Sequence, residues 1–293
     1  VSAPIREVAL IANPSSGRGR GGRVRTQVAA RLRAGGLRVR DLWARDPEHF
    51  VELARAAVRD GVDGLVVCGG DGTFHLGLQA VAGTDTPIGL VPAGTGNDVA
   101  RYFGVPRRDP DAAADLVVAG RTRSSDLART GDRWFMTVLA AGFDAVVNER
   151  ANRMTWPRGQ MRYNIATVAE LRTFSPLPYV LDLDGTTVEL DAMLVAVGNG
   201  PSFGGGLRIC EGADLHDGLL DVVVIKPLSR LELVRTYPKL FSGTHVTHPQ
   251  YEHHRVRRVT VAAPGVVGYA DGERLGALPL TVECVPDAVK VFS

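Results

Sequence analysis

Three apolar runs in the first hundred residues each break into a glycine-rich loop and then into a helical pattern. No other feature limits the fold as strongly. Residues 7 to 12, EVALIA, run into NPSSGRGRGG; Val62 to Cys68 run into GGDGT; TPIGLVP runs into AGTGND. Behind the first loop Val24, Val28 and Leu32 share one helical face, closed by Gly35 and Gly36. A strand near Leu37 to Trp43 precedes a helix with Asp46 as N-cap, Pro47 at its first position and Gly61 at its end. Another helix is expected over Thr73 to Val81. Strands alternating with helices at this spacing predict a doubly wound parallel sheet, because a parallel crossover needs a helix to cover the sheet.

After about residue 125 the pattern changes to strands without intervening helices: RWFMTVLAAGF, YVLDLDGTTVELDAMLVAVGNG, LLDVVVIK, RVRRVTVAA and LPLTVECV. Within the second run, Asp184-Gly185 between VLDL and TTVEL is a hairpin signal. Helices are expected near 160 to 174 and 229 to 242, the latter opened by Ser229 with Glu232 as a capping box. At 293 residues the chain suits two domains. The expectation is an α/β nucleotide-binding domain over 1–125, to which 285–293 return, and an antiparallel β-sandwich domain over 126–284.

In a doubly wound sheet, ligands bind outside the carboxyl ends of the strands, where all three glycine loops fall. Glycine lets backbone N–H groups approach an anion closely, so the loops suit a nucleotide. The first has neither the G-x-G-x-x-G spacing directly after its strand nor the Lys of G-x-x-x-x-G-K-[ST], and protein kinase signatures are absent.

NPSSG at 13 to 17, GGDGT at 69 to 73 and GTGND at 94 to 98, in this order, resemble the diacylglycerol kinase and sphingosine kinase superfamily, and most of all its soluble bacterial lipid kinase branch. The likeness continues through VGNG at 197 to 200, DGLLDVVVI at 217 to 225 and YADGE at 269 to 273. It implies an α/β domain like those of NAD kinase and phosphofructokinase, and transfer of phosphate from Mg-ATP to a lipid hydroxyl, with diacylglycerol to phosphatidic acid as first choice. An NAD kinase shares GGDGT but should carry a Gly-Phe-Leu segment where GLVPAGTGND stands. Another lipid or long-chain-base kinase stays open, as does a non-catalytic nucleotide-binding regulator, which the complete YADGE disfavours.

Asn13, Gly70, Gly72, Thr73, Thr95 and Asn97 are the candidates for nucleotide contacts, since amides and hydroxyls serve phosphate and ribose oxygens without adding charge. Arg18, Arg20 and Arg23 stand either as phosphate contacts or as a solvated basic loop. Asp71 and a phosphate repel unless a cation lies between them, so Asp71 is a candidate Mg2+ ligand; Asp98 is either a second or a helix cap. The resemblance makes Asp271 the base that takes the acceptor's proton and Glu273 the group that orients it, against the alternative of a type I′ turn at Asp271-Gly272. It also implies a structural Mg2+ at Asp214 and Asp217 in EGADLHDGLL, where a metal-free hairpin loop is the alternative.

Charge and cysteine usage narrow the rest. A net charge of +2, with aromatic residues at 6% and scattered, gives no basic aromatic face for nucleic acid. Cys68, Cys210 and Cys284 form no CxxC pair and read as structural thiols of a reducing compartment. HVTHPQYEHH, with His245, His248, His253 and His254, lacks the spacing of zinc sites and reads as a polar loop. No segment approaches the ~18 apolar residues of a membrane span. The expectation is therefore a cytoplasmic protein, peripheral to the inner face of the membrane, docking reversibly through the arginines of the first loop; a homodimer stays open.

Overall fold

A computed structural model of the protein describes residues 4–12, 21–94, 96–142 and 175–293, with isolated residues 147, 150, 154, 156 and 166. The described chain divides into two compact units, Val1–Leu127 with Pro286–Ser293, and Ala128–Val285.

The first unit is a parallel sheet in the order β2 (Arg38–Trp43), β1 (Glu7–Ala12), β3 (Gly64–Gly69), β4 (Ile88–Pro92). Every residue of β3 and β4 is buried, the mark of central parallel strands covered on both faces. The coverings are α1 (Gly21–Ala34), α2 (Pro47–Arg59), α3 (Asp71–Val81) and α5 (Pro110–Ala119). A Cβ on Gly77 of α3 would meet Ile88 and Val67, whereas one on Gly89 would meet Val117 of α5. Because neighbouring strand residues point to opposite faces, Ile88 and Gly89 show that α3 and α5 lie on different sides of the sheet. The N-cap of α2 is Asp46, whose Oδ1 accepts from His49 N at 2.8 Å, with Pro47 behind it.

The second unit is built of two antiparallel layers. One is a six-stranded sheet ordered β12 (Tyr251–Val256), β11 (Leu220–Ile225), β10 (Leu194–Gly198), β7 (Val138–Gly142), β14 (Val267–Ala270), β15 (Glu273–Ala277). The other pairs β9 (Thr186–Ala192) with β8 (Leu177–Leu183), β8 with β13 (Arg258–Ala262), and β13 with residues 280–283 of β16 (Leu280–Phe292). Leu139, Ala141, Val195, Val197, Val222 and Val224 from the first layer meet Tyr179, Leu181, Val259, Val261 and Val282 from the second in one buried core.

Several expectations change in detail. The run RWFMTVLAAGF is two strands, β6 (Arg133–Phe135) and β7, broken at Met136 and Thr137. The helix expected at 229–242 does carry its Ser229–Glu232 capping box but is divided into α6 (Arg230–Thr236) and α7 (Lys239–Ser242) at Pro238, which has no N–H to continue the ladder. The polar loop expected at HVTHPQYEHH is corrected: His245 is buried in the 3-10 turn Thr244–Thr247, and His253 and His254 lie on β12. Helix α5 and strand β5 (Thr122–Thr130) were not anticipated. The helix expected near 160–174 lies outside the described residues, apart from Ala166.

Candidate active site

At the carboxyl ends of β3 and β4 the two described glycine loops are in direct contact. A Cβ on Gly94 would lie 2.6 Å from Gly70 Cα, and one on Gly69 would lie 2.1 Å from Thr73 Oγ1, so no larger residue fits at either position. Ala93 N donates to Gly69 O at 2.8 Å and ties one loop to the other. Helix α3 begins here with Gly70 as N-cap, and that glycine offers no side-chain acceptor to its first N–H groups. A helix start without a side-chain cap is the elementary anion site. Thr73 is buried in the first turn, and Gly72 stands within it.

Asn97 is the N-cap of the short helix α4 (Asp98–Tyr102), in the left-handed region at φ 53°. Its Nδ2 donates to Gly94 O at 2.9 Å, while its Oδ1 is buried with no partner among the described residues. A buried acceptor without a donor costs free energy unless something fills the place. Asp71 Oδ1 accepts from Val99 N at 3.1 Å, so this acid also caps α4. Asp98 is buried and paired with Arg101 at 2.6 Å. Asn13, Thr95, Arg18 and Arg20 lie outside the described residues, and Arg23 is exposed on α1.

In the second unit Asp271 and Gly272 have φ of 52° and 86° and turn β14 into β15. The turn is anchored as well as tight. Asp271 Oδ1 accepts from Thr137 N at 2.9 Å and Thr137 Oγ1 at 2.6 Å, and Oδ2 accepts from Met136 N at 3.1 Å. The break between β6 and β7 thus has a cause: its two N–H groups bind a carboxylate rather than a strand. Glu273, the first residue of β15, is exposed, and no described residue holds its carboxylate.

Asn199, in VGNG and not among the candidate residues of the sequence, is part of the same network. Fully buried, it donates from Nδ2 to Met136 O at 3.0 Å and from its backbone N to Thr137 O at 2.9 Å. An amide after the apolar run of β10 was the available signal. Thr137, which joins Asn199 to Asp271, carried none.

The turn at 211–220 is closed by its own acids: Asp214 Oδ1 accepts from His216 N at 3.1 Å and Asp217 Oδ1 from Leu219 N at 2.9 Å. Asp217 Oδ2 also pairs with Arg255. Among the described residues no three His, Cys, Asp or Glu side chains converge as metal ligands. Behind the turn, Asp221 is buried against His253, Nε2 to Oδ1 at 2.6 Å; desolvation raises its pKa while His253 opposes the rise. Burial pushes the Cys68 thiol up to about 12, which suits an inert core thiol.

Comparison with known proteins gives these units relatives. Residues 7–130 match the diacylglycerol kinase catalytic domain, and residues 137–293 match the YegS C-terminal NAD kinase beta sandwich-like domain. The chain is 45% identical over 294 aligned residues to a diacylglycerol kinase of Mycobacterium tuberculosis strain H37Rv, covering 98% of this chain and 95% of that protein. It is 33% identical to a protein of Pseudomonas fluorescens named "Probable lipid kinase YegS-like", covering 92% and 89%. Among solved structures, a diacylglycerol kinase of Bacillus anthracis str. Sterne superposes with a TM-score of 0.76 at 20% identity, covering 99% of this chain and 98% of that one. At that identity the likeness speaks for the fold.

Proposed function

We propose, because the chain belongs to the diacylglycerol kinase family, that it transfers the γ-phosphoryl group of Mg-ATP to the free hydroxyl of diacylglycerol, yielding phosphatidic acid and ADP. The observation that carries the donor half is the pair of touching loops, where glycine is obligatory at Gly69 and Gly94 and the α3 N-terminus has no side-chain cap. Phosphate oxygens accepting from those N–H groups satisfy the helix start, and a ribose or purine donor satisfies Asn97 Oδ1.

The donor set fits a hard cation at Asp71, the one acid in GGDGT, and less well at Asp98, whose charge Arg101 already answers. Bound at Asp71, Mg2+ would offset charge on the triphosphate. The Asp214–Asp217 turn takes no part in this reading.

For the acceptor half, the geometry favours exchanging the roles that the resemblance implied for the two acids. Asp271 spends its oxygens on three donors of residues 136 and 137, which makes it the fastener of the hairpin. Glu273 has an exposed carboxylate with no competing donor among the described residues, and so is the better base. As the acceptor oxygen bonds to the γ-phosphorus and ADP departs, Glu273 takes the hydroxyl proton, and Asp271 with Thr137 and Asn199 holds the turn that presents it.

Incubation with labelled ATP and defined lipids tests the reading. Label in phosphatidic acid, dependent on added Mg2+ and on diacylglycerol, is the expected result. Label in NADP+ when NAD+ is supplied, or none in any lipid, overturns it.

A further inference from the structure

Seven large hydrophobic side chains are exposed among the described residues, and four of them lie within sixteen positions of one another: Leu231 at 59%, Val234 at 53%, Phe241 at 45% and Val246 at 37%. They belong to α6, α7 and the turn behind them. Helix α6 is inverted relative to an ordinary surface helix: it buries Thr236 and turns Leu231 and Val234, one helical turn apart, to solvent. Tyr237 stacks edge-on against Phe241 at 5.9 Å and extends the apolar surface. A concentrated patch of this kind on a soluble face marks an interaction site.

Charge narrows the occupant. Between Ser229 and Thr247 the sequence holds Arg230, Arg235 and Lys239 against a single acid, Glu232. That acid is folded back into the capping box, accepting from Ser229 N at 3.0 Å and Ser229 Oγ at 2.5 Å. Arg235 and Lys239 are exposed and form no ion pair among the described residues. Aliphatic and aromatic side chains rimmed by unpaired cations are the composition of an interfacial helix lying on anionic lipid, whereas lysine is depleted where protein meets protein.

We propose that residues 229–247 dock the enzyme on an anionic bilayer surface, with Leu231, Val234 and Phe241 entering the headgroup region and Arg235 and Lys239 meeting lipid phosphates. The proposal rests on the lipid kinase reading only for its purpose, since a kinase whose acceptor stays in the bilayer has to reach it. No helix among the described residues is long and apolar enough to cross a membrane. It also moves the docking surface away from the arginines of the first loop, where the sequence had suggested it.

The test is flotation of the full chain, without nucleotide or diacylglycerol, on phosphatidylcholine vesicles with and without phosphatidylglycerol. Wild type should float with the anionic vesicles. Leu231→Ser/Val234→Ser/Phe241→Ser and, separately, Arg235→Glu/Lys239→Glu should each lower the bound fraction about tenfold. The changed positions are exposed, and matching melting curves establish that both variants fold. Wild-type flotation by both variants, or no flotation of wild type, overturns the proposal. So does a wild-type dimer, measured by light scattering, that the triple variant dissociates without any vesicle binding, because the occupant is then a second copy. Parallel assays of diacylglycerol phosphorylation in detergent micelles keep the two readings apart: labelled lipid without patch-dependent flotation sinks the docking alone, and patch-dependent flotation without labelled lipid sinks the kinase reading alone.

Discussion

The acids of this chain divide by what already holds them, and that division predicts their mutants. Glu273→Gln keeps shape and removes the carboxylate proposed as base, so kcat should fall about a hundredfold or more with melting temperature unchanged, measured by steady-state assay and thermal scan. Asp271→Asn should behave differently. It tolerates the positive φ, but its amide nitrogen has to face the N–H of Met136 or Thr137, leaving a donor unanswered. Activity and melting temperature should drop together, by about 2 kcal/mol in stability. Loss of activity in Asp271→Asn with wild-type melting, alongside an active Glu273→Gln, would return the base to Asp271. Asp71 allows a similar separation, because its Oδ1 caps α4 through Val99 N. Asp71→Asn keeps an acceptor for that N–H and should lose metal dependence of nucleotide binding while melting as wild type does; Asp71→Ala should lose both. Titration calorimetry with and without Mg2+ checks the first, a thermal scan the second.

At the scale of elements, the alternation of apolar runs with glycine loops was enough to foresee the parallel sheet, because β1, β3 and β4 are buried runs with unmistakable stops at Gly69 and beyond Pro92. The capping residues Asp46 and Ser229 were equally legible, since an N-cap is a local device. What escaped depends on distant partners. Met136 and Thr137 look like strand, yet Asp271, more than a hundred residues away in sequence, takes their N–H groups. His245 looks like a polar loop residue, yet it is 1% exposed, with Nε2 on Ile209 O at 3.0 Å and Nδ1 without a partner among the described residues. Desolvation depresses its pKa below the ordinary imidazole value, the contact with Ile209 O working the other way. A depressed folded pKa means the unfolded chain takes up the proton first. Stability from this residue is therefore full above about pH 6.5 and is lost as pH falls through the folded value. His245→Gln can still donate to Ile209 O but does not titrate. Its melting temperature should fall less than that of wild type between pH 7 and pH 5; equal slopes would show that His245 is not the titrating group.

For the whole molecule, the arrangement that matters most is that the first unit is completed by residues from the other end of the described chain. Val291 of β16 pairs in parallel with Ile88 at the edge of β4, and Ser293 N donates to Arg121 O at 3.2 Å. Asp287 N donates to Asp126 Oδ1 at 2.9 Å, and Gly83 N to Ala288 O at 2.8 Å. Phe292 is 1% exposed, and its ring is seated where Gly64 and Gly89 leave room: a Cβ on either would approach it to 3.0 and 3.3 Å. Those two glycines lie on β3 and β4, the strands whose far ends carry the touching loops. The ring therefore packs directly against β3 and β4, the strands proposed to carry the nucleotide. Phe292→Ala removes a buried aromatic from a site bounded by backbone, which has little freedom to collapse, so the loss should reach about 3 to 5 kcal/mol. The second unit has its own core, with no member from 286–293, and should keep its structure. The expected outcome in denaturant is that a single transition in the wild type becomes two in Phe292→Ala, with ATP binding lost in the first. A variant that unfolds in one transition at the wild-type midpoint would show that the returning strand is an accessory to the first unit rather than part of its core.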